Sequence, residues 1–452
     1  MREDIKKRIE QIRRGEVPEG YKNLVDYHII PIDWRIKKLE DLGSLKNGIN
    51  KDKDMFGNGY PLVNLDDVFA SKCISSTSEI STLVFCSEQE RASYSLRNGD
   101  IVFVRSSVKK EGVGLTAYVT EDLSDTVFSG FLIRFRCLSD SLVGSYKVYC
   151  FDSTYFRDQL LKKSTVSANT NINQEQLKIL KIALPSTNEQ EQIAEILSTC
   201  DRVIELKKKL VEEKIEIKKW LMQTLLTGMI RVKDIENATP YEELKKRIEQ
   251  IRNGQAHEGY WFTKSGILPL EWKEKKLRKL AEVIMGQSPS SKHYNTNNEG
   301  KPLIQGNNDR TDKESDPKVW TTQITKECKT GDILMSVRAP VGKVFRSRHN
   351  ACIGRGICAI RSVHSDYLFQ FLMFHEDKWG KTSQGSTFES INRNEIESKD
   401  IPFCESDQGE IAEILSTADK EIGLLNKDLE QWELKKKSLM QLLLTGIVRT
   451  KA

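Results

Sequence analysis

The chain has 452 residues, 70 of them Lys or Arg and 65 Asp or Glu, for a formal charge of +5. That length exceeds one ordinary core, so two or more domains are expected; 38% apolar and 30% charged residues suit extended solvated helices beside globular parts. No run of about 18 apolar residues offers a membrane span, the start Met1-Arg-Glu-Asp-Ile-Lys-Lys has no apolar stretch for a signal peptide, and nine scattered cysteines without a C-x-x-C pair indicate neither a disulfide framework nor a zinc site.

The expected compartment is therefore the cytoplasm. In chain order, the first predicted element is an amphipathic helix over 4–14 with Ile5, Ile9 and Ile12 on one face. Its sequence, Ile5-Lys-Lys-Arg-Ile-Glu-Gln-Ile-Arg13, returns as Leu244-Lys-Lys-Arg-Ile-Glu-Gln-Ile-Arg252 in a second such helix over 241–252. Both copies continue through a glycine, Gly15 or Gly254, to Glu-Gly-Tyr, and then to a second block, Pro31-Ile-Asp-Trp34 against Pro269-Leu-Glu-Trp272. A third block closes each half: Ile193-Ala-Glu-Ile-Leu-Ser-Thr199 reappears unchanged at 411–417, and Leu225-Leu-Thr-Gly228 as Leu443-Leu-Thr-Gly446, with Arg231 echoed by Arg449. Residues 45–165 and 283–385 share little beyond Gly99-Asp-Ile and Gly331-Asp-Ile. Similar frames surround dissimilar middles.

Each middle reads as a mixed α/β domain. Residues 100–104 and 332–335 follow Asn98-Gly99 and Thr330-Gly331, a turn leading into a buried strand, and 127–136 alternates like a half-buried strand. Residues 146–162 and 366–378 read as aromatic-rich helices, and 288–298 and 305–310 as loops. Small polar and basic clusters fall in such loops: Arg105, Ser106, Lys109, Lys110, Thr165, Asn169 and Asn171 in the first domain, and Asn307, Arg310, Arg338, Lys343, Arg346, Arg348, Arg355, Ser386 and Thr387 in the second. Arg reads guanine edges, Asn reads adenine, and Ser, Thr and Lys hold phosphates, so these are the candidate DNA-binding residues. The alternative for Arg105 and Arg338 is a structural pairing with a neighbouring carboxylate.

Each half ends in a predicted helix of about 38 residues, about 57 Å long. The distal one carries a coiled-coil seam at Ile411, Leu415, Ile422, Leu425, Leu429, Trp432, Leu439 and Leu443, with a gap at Lys436. The central one carries Ile193, Leu197, Ile204, Val211, Leu221 and Leu225, interrupted by Lys207, Lys214 and Lys218, whose stems could lie along a partner while their charges reach solvent. A seam with three lysines is a poor self-associating zipper, so the two helices are expected to pair with each other, antiparallel as the repeat implies. Gly228 and Gly446 stand where C-terminal caps are wanted.

No reaction centre is evident. Gly342-Lys343 lacks the rest of a phosphate-binding loop, Gly112-x-Gly114 and Gly354-x-Gly356 lack the third glycine of a dinucleotide fingerprint, no Asn/Asp-Pro-Pro-aromatic motif of an amino-methyltransferase occurs, and the six histidines include no metal-spaced pair. A self-contained methyltransferase thus fails on motifs. A coiled-coil adaptor that binds no DNA is the rival from another class, distinguished by its lack of salt-dependent DNA affinity.

Two dissimilar domains, each opened by Pro-x-[Asp/Glu]-Trp and closed by Ile-Ala-Glu-Ile-Leu-Ser-Thr and Leu-Leu-Thr-Gly, resemble the specificity subunit of a type I restriction–modification system over essentially the whole chain. The resemblance implies an α/β (α+β) fold class with two globular target-recognition domains separated by a long antiparallel two-helix coiled coil, in a pseudo-twofold repeat. The corresponding divisions are an N-terminal helical segment (1–20), recognition domain 1 (21–185), a central long helix (186–230), a connector helix (231–259), recognition domain 2 (260–402) and a distal long helix (403–452). It further implies a non-catalytic chain that binds double-stranded DNA, each domain reading half of a split target, and that docks two methyltransferase subunits and, through the complex, restriction subunits. No cofactor is expected on this chain; S-adenosylmethionine, ATP and Mg are expected on the partner subunits. The charged stretch over 1–20 departs from family members that begin nearer the first Pro-x-Asp-Trp.

Overall fold

The computed structural model describes residues 3–24, 28–76, 80–166, 169–382 and 390–450. The chain divides into two compact units, one built from 1–207 with 428–452 and the other from 208–427. Each long helix is therefore shared. The central helix, Thr187–Leu225, starts in the first unit and ends in the second; the distal helix, Gln408–Leu444, does the reverse.

The two units have the same core sheet. In the first, strands Gly43–Asn47, Leu132–Cys137, Ile101–Val104 and Thr116–Val119 lie side by side and antiparallel, with Ile133 opposite both Asn47 and Phe103; Cys73–Ile74 adds a parallel edge. In the second, Glu282–Met285, Ile357–Arg361, Ile333–Ser336 and Val344–Arg346 repeat that order, with Ile360 opposite Val283 and Ile333. A further small sheet joins the two ends of each frame: Arg35–Lys38 pairs with Lys181–Leu184, and Lys273–Lys276 with Asp400–Phe403.

The aromatic helical stretches are each interrupted. Residues 146–162 fall in Gly144–Cys150 and Thr154–Lys163, because Ser153 caps a new start by accepting from the Phe156 N–H at 3.3 Å. The other stretch falls in Ser365–Phe374 and Glu376–Thr382. The expected strand over 127–136 is likewise two, Val127–Phe128 and Leu132–Cys137, parted at Ser129-Gly130.

The frame motifs are explained by a reciprocal tail. In the first unit Trp34 is 1% exposed and its Nε1–H donates to Glu189 at 3.1 Å, while Tyr21 Oη–H donates to the Gly446 carbonyl at 2.8 Å. In the second Trp272 donates to Asp407 at 3.1 Å and Tyr260 to the Gly228 carbonyl at 2.9 Å. Gly446 (φ +70°) lies so close to Pro31 that a Cβ would come within 2.5 Å of the proline ring; Gly228 (φ +69°) meets Pro269 at the same distance. Glycine is required at both places by backbone conformation and by space. The arginine after each glycine completes the lock: Arg449 binds Asp33 at 2.8 Å and Glu189 at 2.6 Å, and Arg231 binds Glu271. The end of each half is thus built into the unit that the other half begins, and the short helices Glu3–Arg13 and Tyr241–Arg252 pack at these junctions through Arg8 over the Tyr21 ring and Arg247 over the Tyr260 ring.

The long helices are antiparallel within each unit. In the first, Asp201 meets Lys436 and Lys207 meets Asp428; in the second, Lys214 meets Glu421 at 2.6 Å and Lys218 meets Asp419 at 2.6 Å. The seam lysines were expected to reach solvent. They instead cross to carboxylates of the opposite helix, Asp428, Glu421 and Asp419, which flank its seam. Among the seam residues, Ile193, Leu197, Leu225, Ile411 and Leu415 are fully buried, and Ile204 and Val211 are nearly so. Toward the middle, Ile422, Leu425, Leu429 and Trp432 are half-buried.

Candidate nucleic-acid interface

The Gly-Asp-Ile element positions both candidate sites. Gly99 and Gly331 take φ of +86° and +89° in the turn, and the following aspartate accepts the N–H three residues back, Arg97 to Asp100 and Lys329 to Asp332, each at 2.8 Å. An arginine on the neighbouring strand then grips the carboxylate with two bonds: Arg136 holds Asp100 at 2.7 and 2.6 Å, and Arg361 holds Asp332 at 3.1 and 2.7 Å. The strand starts from a fixed point, and its far end delivers Arg105-Ser106 in one unit and Val337-Arg338 in the other.

In the first unit a three-stranded ribbon forms at that far end. Ser106 lies opposite Asn171, and Asn171 opposite Thr165, on strands Ser106–Ser107, Thr170–Asn171 and Thr165–Val166. Three candidate residues distant in sequence thus form one cross-strand row. Asn171 Nδ2 donates to the Asn169 carbonyl at 3.0 Å. Lys109 and Lys110 are exposed on the adjoining turn. Arg105 donates to the Gly130 carbonyl at 3.3 Å rather than pairing with a carboxylate. Beside the row is a hollow of about 570 Å3 walled by Phe69, Val108 and Phe131, with Ser106, Lys109 and Asn169 also lining it.

In the second unit Arg338 and Arg355 flank the hydrogen bond from Val337 N–H to the Gly356 carbonyl, 2.9 Å, and both are exposed. Arg338 lies opposite Ser390, the position that Asn171 holds in the first unit. Neither arginine forms a side-chain ion pair among the described residues. Asn307 joins them by donating to the Pro340 carbonyl at 3.1 Å, and its Oδ1 is buried without a partner among the described residues. Arg310 lies over the Phe345 ring at 5.7 Å. The remaining basic candidates are held internally: Lys343 by Glu376 at 3.0 Å, Arg346 by Asp366 at 2.5 Å and over the Phe369 ring at 4.5 Å, and Arg348 by Glu314 at 3.4 Å. Ser386 and Thr387 lie outside the described residues.

Sequence reading missed the loop that supports each cluster. Gly48 and Gly286 follow equivalent strands, and a Cβ there would strike the Ser129 carbonyl at 2.1 Å or the Gly354 carbonyl at 2.2 Å. The close approach brings Asn50 against Gly130, and Ser288 Oγ to the Arg355 N–H at 3.1 Å. A lone glycine two residues before a polar side chain, in both halves, was the available signal. Among the described residues no group of His, Cys, Asp and Glu is placed to hold a metal ion, and no helix is long and apolar enough to cross a membrane.

Two units thus stand on one repeated frame, each with a different polar loop cluster at the same place. The family model for the type I restriction modification DNA specificity domain matches residues 31–216 and 269–434. The chain is 31% identical over 434 residues to a putative type I restriction enzyme MjaX specificity subunit from Methanocaldococcus jannaschii, covering 93% of this chain and 95% of that protein. It is also 25% identical over 181 residues to the EcoKI specificity subunit of Escherichia coli, covering 40% and 38% of the two chains. The fold is similar to a chain from a structural study of complex assembly and conformational transition in the type I R-M system (TM-score 0.57, 21% identity, 92% and 98% coverage), and to the type I S subunit of M. genitalium (TM-score 0.52, 13% identity, 91% and 96%). The chain belongs to the type I restriction–modification specificity-subunit family, whose members are the non-catalytic component of their systems.

Proposed function

We propose that this chain reads a bipartite double-stranded DNA target in the cytoplasm, each unit taking one half, while the long helices set the interval and dock two methyltransferase subunits. S-adenosylmethionine would then reside on those subunits, with ATP and Mg on restriction subunits joined through the complex. One observation carries the reading: at the same position beyond the Gly-Asp-Ile strand the units present unlike side chains, Ser106 opposite Asn171 in one and Arg338 opposite Ser390 in the other. A serine–asparagine pair and an arginine–serine pair offer different donors and acceptors to a base edge, as two different half-sites require.

The test is co-expression with the system's methyltransferase and sequencing of the methylated genome. Exchange of residues 21–185 for those of another family member is expected to change one half of the methylated motif only. If both halves change together, one unit does not read one half-site. Removing one heptad from each long helix shortens it by about 10 Å, about three base pairs. The gap should shorten accordingly while the half-sites stay the same; a fixed gap would refute the ruler.

A further inference from the structure

The two units treat one buried glutamine differently. In the first, Gln190 on the opening turn of the central helix is fully engaged by the loop after strand Leu132–Cys137. Its Oε1 accepts the Val143 N–H at 2.9 Å, and its Nε2 donates to the Ser141 and Pro185 carbonyls at 2.9 and 3.1 Å. Gln408 holds the equivalent place on the distal helix and is 9% exposed, yet its buried Oε1 has no partner among the described residues. The cause is a shorter loop. Nine residues separate Arg136 from Tyr146, and only five separate Arg361 from Tyr367.

Where the first unit places Ser141 and Val143, the second has a groove of about 470 Å3, lined by His364, Asp366, Glu405, Gln408, Glu410 and Glu413 among others. Glu405, Glu410 and Glu413 are exposed and form no ion pair among the described residues, while Asp366 is held by Arg346. The first unit has Thr187 and Gln192 in place of Glu405 and Glu410. Glu413 has its counterpart in Glu195 and belongs to the frame, so Glu405 and Glu410 are the acids that accompany the groove. Three free carboxylates repel a phosphate backbone and attract cations, so DNA is the wrong occupant. A buried amide oxygen without a donor calls for one, and the first unit shows that a main chain can supply it.

We infer that this groove docks an extended, lysine- or arginine-bearing segment of a partner protein. Its main chain engages the Gln408 amide as the loop through Ser141 and Val143 engages Gln190, and its cations meet Glu405, Glu410 and Glu413. The loop of the first unit already fills the corresponding place, so the contact is made once per chain, on a frame that otherwise repeats twice. The inference concerns a protein contact and does not depend on either unit reading DNA.

The full chain is titrated with a fluorescent peptide, Lys-Lys-Ser-Leu-Val-Lys-Lys, which copies the Gln190-binding loop between lysines. Saturable one-to-one binding is expected. Glu405→Gln/Glu410→Gln/Glu413→Gln, all surface changes, should weaken it about tenfold. N-methylation of the peptide valine, which removes the N–H offered to Gln408, should weaken it about fivefold. Gly409→Trp should abolish binding, because a Cβ at Gly409 meets nothing within 4 Å and the indole has room to fill the groove; Glu191→Trp, its counterpart in the first unit, should change nothing. No saturable binding, unchanged affinity in the triple variant, or displacement of the peptide by duplex DNA would each overturn the proposal.

Discussion

The same aspartate has different neighbours in the two units. Asp201 and Asp419 occupy equivalent places on the long helices, and each binds the lysine that crosses from the other helix, Lys436 or Lys218. In the first unit the variable domain adds one bond, from Tyr149 Oη–H to Asp201 at 2.8 Å, and the Asp201 side chain stays 40% exposed. In the second, the residue at the Tyr149 position is Gln370, which donates to Asp419 at 2.9 Å; Lys313 adds a second cation, and Asp419 is only 16% exposed. The helices conserve the charge pair that joins them. The variable domains differ in how they attach to it, Tyr149 in one and Gln370 with Lys313 in the other, yet in both a donor reaches this carboxylate.

This comparison can be broken by substitution. The largest expected effect is loss of the buried tryptophan: Trp34→Ala should destabilise the first unit by about 3–5 kcal/mol and Trp272→Ala the second by a like amount. Hydrogen exchange resolved by peptide is the measurement, and each change should lower protection in its own unit. Equal loss in both units from either substitution would show that the repeat does not confine its own damage.

Next is Asp419→Asn, which leaves Lys218 (10% exposed) without its counter-charge and should cost about 2–3 kcal/mol. Asp201→Asn, at a more exposed pair, should cost less than about 1 kcal/mol. Equal effects in urea unfolding would remove the distinction between the two attachments. Acid sharpens it. Burial pushes the Asp419 carboxyl up, but hydrogen bonds from Lys218, Lys313 and Gln370 outweigh it and hold the group below its ordinary value. A carboxylate with a lowered folded pKa contributes stability above its unfolded value of about 3.9, and loses that contribution as pH falls toward the folded value. The gap between wild type and Asp419→Asn should therefore be full at neutral pH and close below about pH 4. A gap that widened with acid would contradict the assignment.

Arg338→Ala should cost about 1–3 kcal/mol of discrimination at one base pair, confined to the half-site of the second unit. An unchanged methylated motif would reduce Arg338 to a structural residue. The smallest effect is expected for Lys214→Met, where a partly exposed seam pair with Glu421 is exchanged for apolar contact. The change in stability should stay within about 1 kcal/mol of either sign.

The sequence made the repeat, the long helices and their pairing legible because these depend on periodicity and on copied letters. The partners of the seam lysines were not legible. They lie about 200 residues away on another helix, and nothing local to Lys207 or Lys218 names Asp428 or Asp419. Just after the dissimilar middles the two halves agree again in a way the sequence reading passed over. Asn173 with Gln176, and Asn392 with Glu395, form capping boxes that start equivalent short helices before the closing strand. That Ile-Asn-x-x-[Gln/Glu] signal was readable, but unlike surroundings concealed it. For the candidate interface, sequence reasoning gathered polar and basic candidates without sorting them. Only the fold separates exposed Arg338 and Arg355 from Lys343 and Arg346, whose charges are already committed to Glu376 and Asp366.

The reciprocal tail has a consequence for synthesis. Residues 225–231, which complete the second unit, are already made when translation reaches Trp272, whereas Gly446 and Arg449, which close over Pro31, Trp34 and Asp33, emerge some 400 residues after those partners. The first unit to leave the ribosome is thus the last to be finished. Until then Pro31, Asp33 and Trp34 must wait with one wall missing, so premature termination near residue 440 would injure the domain at the opposite end of the gene product.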